Sequence, residues 1–182
     1  LDTAARALEL LQETDGTKAM KTAVDLKELN EERKELTAKG VEQAVMLVEN
    51  TEIKKDRILV LFLPECHESL AGIIAGRIKE KYHKPVFVLT RGEEEIKGSG
   101  RSIESYHMYE NMSACSGLFT KFGGHKMAAG LSMKEENVEI FRREINERCC
   151  ITPEEMEEKI HIDIALPLSY VTTAFVQELE KL

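Results

Sequence analysis

At 182 residues, with 42% apolar and 32% charged side chains, the chain is long enough for one well-buried core and an appendage. Its longest apolar stretch, Ile58 to Pro64, is strand-sized, and no basic start leads into an apolar segment, so no membrane partner is expected and the cytoplasm is the expected location. The formal charge of −8 excludes a broad basic surface, yet residues 51–133 carry 12 Lys and Arg against 10 Asp and Glu while both flanks are net acidic. A small positive site on an acidic protein suits recognition of a few phosphates.

Leu1, Ala4, Ala5, Leu8 and Leu11 are spaced as one helix face, and the chain starts inside this pattern without Met, as a piece of a longer protein would. From Thr17 to Val48, strong helix formers without proline predict one long helix. Its middle, Asn30 to Lys39, is almost wholly polar; such a helix either bridges two bodies or presents a solvated charged face, and both readings stay open. Arg57 to Leu63, closed by Pro64, reads as a strand buried on both faces. Ser69 to Tyr82 follows as a helix with Ser69 as its N-cap, and Pro85 to Leu89 as a second buried strand. This order implies a right-handed crossover and a parallel strand pair. Glu95 to Ile103 reads as a third strand, Tyr106 to Leu118 as a helix, Ala128 to Met133 as a short strand and Glu135 to Cys149 as a further helix.

The fold class is therefore α/β over residues 51–150, with a mixed, partly parallel sheet flanked by helices and preceded by a connecting helix region, 1–50. Past the turn signal Thr152-Pro153-Glu154-Glu155, Ile160 to Leu166 alternates with period two as a half-exposed strand does, and residues 172–182 look helical. One strand and one helix cannot bury a core, so residues 151–182 either open a next domain or pack back on the sheet. Cys66, Cys115, Cys149 and Cys150 lack CxxC spacing and are expected as reduced thiols.

Chemistry concentrates in two glycine-bearing runs, Lys97-Gly-Ser-Gly-Arg-Ser102 and Phe122-Gly-Gly-His-Lys-Met-Ala-Ala-Gly-Leu131. Glycines let a backbone come close to a ligand. Beside them, Ser99 and Gly100 lead into Arg101, whose planar fork of donors matches two oxygens of a phosphodiester, and the Ser102 hydroxyl adds a donor. Gly123 and Gly124 can turn successive N–H groups into one concavity, and His125 can contribute a ring donor. The plainer alternatives are a surface ion pair for Arg101, a core histidine for His125 and a tight turn for the two glycines. The five histidines show no H-x-x-x-H spacing with an acidic partner, so no metal site and no bound cofactor are expected in this chain.

These two runs, with Cys66-His-Glu-Ser-Leu-Ala-Gly-Ile-Ile-Ala-Gly-Arg77 and Lys27-Glu-Leu-Asn-Glu-Glu-Arg33, resemble the DHHA1 domain of the DHH phosphoesterase superfamily, most closely its RecJ exonuclease branch. The resemblance covers nearly the whole chain, and Ile162-Asp-Ile-Ala-Leu-Pro-Leu168 looks like the opening of that branch's OB-fold domain. It implies a substrate-binding role toward single-stranded DNA, opposite a DHH catalytic domain of the same polypeptide in which two Mn2+ or Mg2+ ions hydrolyse phosphodiesters. It further implies that Ser99, Gly100, Arg101, Ser102, Gly123, Gly124, His125 and His67 meet phosphate, that this chain is catalytically silent alone, and that it is a monomer. Two other functions fit the same resemblance: a phosphodiesterase for oligoribonucleotides or cyclic dinucleotides, and a tRNA-binding module without catalysis.

Overall fold

The computed structural model describes residues 4–157, 159 and 162–181. Helix α1 (Ala4–Gln12) packs on α2 (Gly16–Asn50), tied by Arg6 to Asp25 at 3.5 Å. Helix α2 starts where Asp15 caps it, its carboxylate accepting from the N–H groups of Thr17 at 2.9 Å and Lys18 at 3.3 Å. Only Gly40, Ala44 and Val48 of its 35 residues are buried. The first two-thirds of α2 therefore stand free of the core, and the last third packs on α3 (Glu68–Tyr82).

Five strands form one sheet in the order β1-β2-β3-β5-β4. The apolar β1 (Leu59–Phe62) and β2 (Val86–Arg91) pair in parallel across α3. The remaining neighbours are antiparallel: β2 with β3 (Ile96–Arg101), β3 with β5 (Ala128–Met133), and β5 with β4 (Phe119–Gly124). Strand alternation splits the core into two layers. One face carries Leu59, Leu61, Val86 and Val88 against Ile74 and Ile78 of α3 and the end of α2. The other carries Ile58, Val60, Phe87, Leu89, Leu131 and Met133 against α4 (Met108–Ser113) and α5 (Val138–Glu147). There the Phe141 ring meets Phe87 and Phe119 edge-on, with centroids 5.1 and 5.2 Å apart.

Four expectations change. The N-cap of α3 is His67, not Ser69: its Nδ1 accepts from the Ser69 N–H at 3.2 Å. The helix expected over 106–118 shortens to α4 and a 3-10 turn at Ser116–Leu118. Strand β4 is an addition to the sequence reading, because Gly123 and Gly124 weaken strand propensity; it forms by pairing at the sheet edge, with Phe119 packed on the core. Residues 162–166 run as irregular chain with no ladder partner among the described residues, while Ile160 and His161 of that expected strand lie outside them. Helix α6 (Thr173–Leu179) matches the helical tail.

Candidate phosphate-binding face

The strand register sorts the glycine runs by face. Arg101 and Ser99 pair with Val86 and Val88, so they share the α3 side of the sheet, as does Lys97 two residues earlier. In β5 the core side holds Ala129, Leu131 and Met133, which leaves Ala128, Gly130 and Ser132 on the α3 side. Their β4 partners there are Gly123 and Lys121, and the His125 N–H continues the ladder by donating to the Ala128 carbonyl at 2.8 Å. Three cross-strand rows result: Arg101, Ala128 and His125; Ser99, Gly130 and Gly123; Lys97, Ser132 and Lys121.

Helix α3 covers the β3 end of these rows and stops there. Over β5 and β4 the middle row is open: a Cβ built on Gly123 meets nothing within 4 Å, and one on Gly130 meets only the Gly98 carbonyl at 3.9 Å, whereas Ser132 in the Lys97 row is buried. The guanidinium of Arg101 lies under Gly72 of α3, and its Nη1 donates to the Gly100 carbonyl at 2.7 Å and to Ser99 Oγ at 3.2 Å. Ser99 Oγ, acting there as acceptor, keeps its own proton for a ligand. Arg101 takes part in none of the ion pairs among the described residues. The surface ion-pair alternative therefore has no partner here.

His125 is exposed in the turn between β4 and β5. Its Nδ1 accepts from the Met127 N–H at 3.3 Å, which places the ring proton of the neutral form on Nε2, free to donate outward. The turn is held from both sides, because the Met127 carbonyl accepts from the Ser102 N–H and the Lys126 carbonyl from the Met108 N–H. Gly124 has φ 156°, and a Cβ there would stand 2.5 Å from the Ala128 carbonyl oxygen. Its glycine identity is a backbone requirement of the turn.

The remaining expected residues separate. Ser102 is corrected: it is 1% exposed and its hydroxyl donates to the Tyr106 carbonyl at 2.7 Å, so it offers no donor to a ligand. Gly100 is buried on the opposite face, where a Cβ would press Met108 Sδ at 2.5 Å and Phe87 Cε1 at 2.8 Å; packing accounts for it. His67 is exposed at the far end of the face, lining one depression with Lys97 and Lys121 and not beside Arg101. Sequence reading missed Gly72, Gly130, Lys97 and Lys121. Parity with Ser99 and Arg101 would have flagged Lys97, but the other three depend on packing and register. Among the described residues no group of three or more His, Cys, Asp or Glu is placed to hold a metal, and no helix is long and apolar enough to cross a membrane.

Fold and face together define an α/β domain whose sheet carries Arg101, His125, Lys97 and Lys121 around an open floor of Gly123 and Gly130. The DHHA1 domain family matches residues 55–149, and the chain belongs to that family. It is 40% identical over 151 residues to the single-stranded-DNA-specific exonuclease RecJ of Dickeya dadantii, covering 79% of this chain and 26% of that protein. RecJ from Thermus thermophilus in complex with Mg2+ superposes with a TM-score of 0.72 at 30% identity, covering 79% of this chain and 22% of the enzyme; its complex with Mn2+ gives 0.71 over 79% and 21%. The chain thus spans about a quarter of the length of the curated relatives it matches.

Proposed function

We propose that this chain is the substrate-gripping part of a RecJ-like, single-stranded-DNA-specific 5′ to 3′ exonuclease. Arg101 holds a DNA phosphate through its free donors, with the Ser99 hydroxyl and His125 Nε2–H completing the grip. The observation that carries this reading is the row that puts Arg101 and His125 two strands apart on one open face, with no carboxylate paired to Arg101 among the described residues. A surface residue that serves only the fold would be quenched by a partner or left to solvent; this one is braced by Gly100 and Ser99 in a fixed pose.

Hydrolysis itself belongs to a two-metal DHH domain of the same polypeptide, where Mn2+ or Mg2+ would clamp the attacking and leaving oxygens. This chain contributes position: it fixes the phosphate so that the scissile bond meets those metals, which is catalysis by orientation. His67 serves the same ligand from the far end of the face. Residues 1–50 connect to the catalytic domain, and 151–182 lead toward an OB-fold. The test is direct titration of this chain with single-stranded DNA and with the same strand carrying neutral methylphosphonate linkages and no 5′-phosphate. Tighter binding of the charged strand supports the grip, and equal affinity for both removes it.

A further inference from the structure

The three rows of the α3-side face are not chemically alike. Arg101 and His125 mark one end, Lys97 and Lys121 the other, and the middle row is bare between Gly130 and Gly123. At roughly 3.3 Å per strand residue, the four steps from Arg101 to Lys97 span about 13 Å. One phosphate cannot touch both ends. Lys121 is exposed and in none of the ion pairs among the described residues, while Lys97 Nζ donates to Ser132 Oγ at 3.3 Å and stands 3.6 Å from Glu95.

The bare middle row has no structural cause. Glycine inside a strand costs roughly 0.5–1 kcal/mol relative to alanine. Gly98 and Gly100 repay this, because a Cβ would sit 2.5 Å from Leu89 Cδ2 and 2.5 Å from Met108 Sδ. Gly123 and Gly130 face open space. The fold would accept side chains at both, whereas a ligand lying flat on the sheet would not. At the lysine end, Glu93, Glu94 and Glu95 line the same depression as His67, Lys97 and Lys121, with Glu95 3.6 Å from Lys97, so the positive track stops there.

We infer that Lys97 and Lys121 form a second phosphate subsite, and that the ligand is a short single-stranded oligonucleotide running along the strands with its sugars and bases on the Gly123–Gly130 floor. The acidic segment from Glu93 to Glu95 sets the far limit of the track by repelling a continuing backbone. This inference rests on the phosphate reading of Arg101 and adds a ligand length to it.

The test is NMR-monitored titration of the full 182-residue chain with thymidine 5′-monophosphate and with a 5′-phosphorylated thymidine tetranucleotide. Expected is a tetranucleotide affinity about tenfold or more above the mononucleotide's, as one added charge-assisted contact supplies. Changing Lys97→Ala and Lys121→Ala together should remove that advantage and leave the mononucleotide unaffected. Gly130→Val should do the same while leaving the melting temperature at or above the wild-type value, with Gly130→Ala as a milder probe of the same contact. If Arg101→Ala weakens both ligands while the lysine and Gly130 variants bind the tetranucleotide as wild type does, the track is overturned and the single grip stands. If Arg101→Ala leaves mononucleotide binding unchanged, both readings fall.

Discussion

Gly72 of α3 lies directly over Arg101: a methyl group there would stand 2.7 Å from Nη2, 3.3 Å from Cζ and 3.0 Å from Ser99 Oγ. Two of these atoms belong to the end of a long side chain that can swing away and the third is a hydroxyl that can rotate, so the fold loses little while the guanidinium loses its pose. Alanine also favours an exposed helix over glycine by about 1 kcal/mol. Gly72→Ala should therefore leave the melting temperature unchanged or raised and weaken binding of phosphorylated single-stranded DNA as removal of the Arg101 side chain does. Calorimetry and titration on the same sample check both signs.

At the β4–β5 turn, His125→Ala should weaken the phosphate contact with little change in melting temperature, because the exposed ring hydrogen-bonds only the Met127 N–H among the described residues. Gly124→Val should do the opposite, since its Cβ would overlap the Ala128 carbonyl oxygen at 2.5 Å and the Ala129 Cα at 2.6 Å, backbone that cannot step aside. Thermal melts of the two variants separate ligand group from turn former. A large loss of melting temperature in His125→Ala would assign the histidine to the fold.

The two-sided α/β core was legible in the sequence because Ile58–Leu63 and Val86–Leu89 are unbroken apolar runs with a 3.6-period helix between them. Arg101, Ser99 and His125 were legible as a set because glycines punctuate both runs. What was not legible is which glycine serves what. Gly100 and Gly124 pack against the protein, Gly123 and Gly130 do not, and only the register and the neighbours of each Cα separate these cases. Ser102 failed as a candidate for the same reason: one residue beyond Arg101, it points to the opposite face and is spent on Tyr106.

Asn146 of α5 closes the start of β1, its amide accepting from the Ile58 N–H at 2.9 Å and donating to the Ile58 carbonyl at 2.9 Å. Both backbone groups belong to a fully buried residue. Asn146→Ala leaves a buried donor and acceptor without this partner and should cost about 1–3 kcal/mol. A urea melt should show the midpoint fall with an unchanged slope.

Burial raises the thiol pKa of Cys115 and Cys149, which removes the reactive thiolate at neutral pH, whereas Cys150 is exposed. Alkylation under native conditions, followed by mass spectrometry, should modify Cys150 first and leave Cys115 and Cys149 intact until denaturant is added. Rapid native modification of Cys115 would show that the α4 side of the core opens readily.

The grip on phosphate is tested most directly by titrating wild type, Arg101→Ala and Arg101→Lys with 5′-phosphorylated single-stranded DNA. Loss of a charge-assisted pair is worth about 1.5–3 kcal/mol, or roughly ten- to a hundredfold in affinity. Arg101→Ala should fall by that factor, and Arg101→Lys should recover only part of it, because an ammonium cannot bridge two phosphate oxygens while bonding Gly100 and Ser99. Wild-type affinity in Arg101→Ala, with the fold intact, would contradict the assignment.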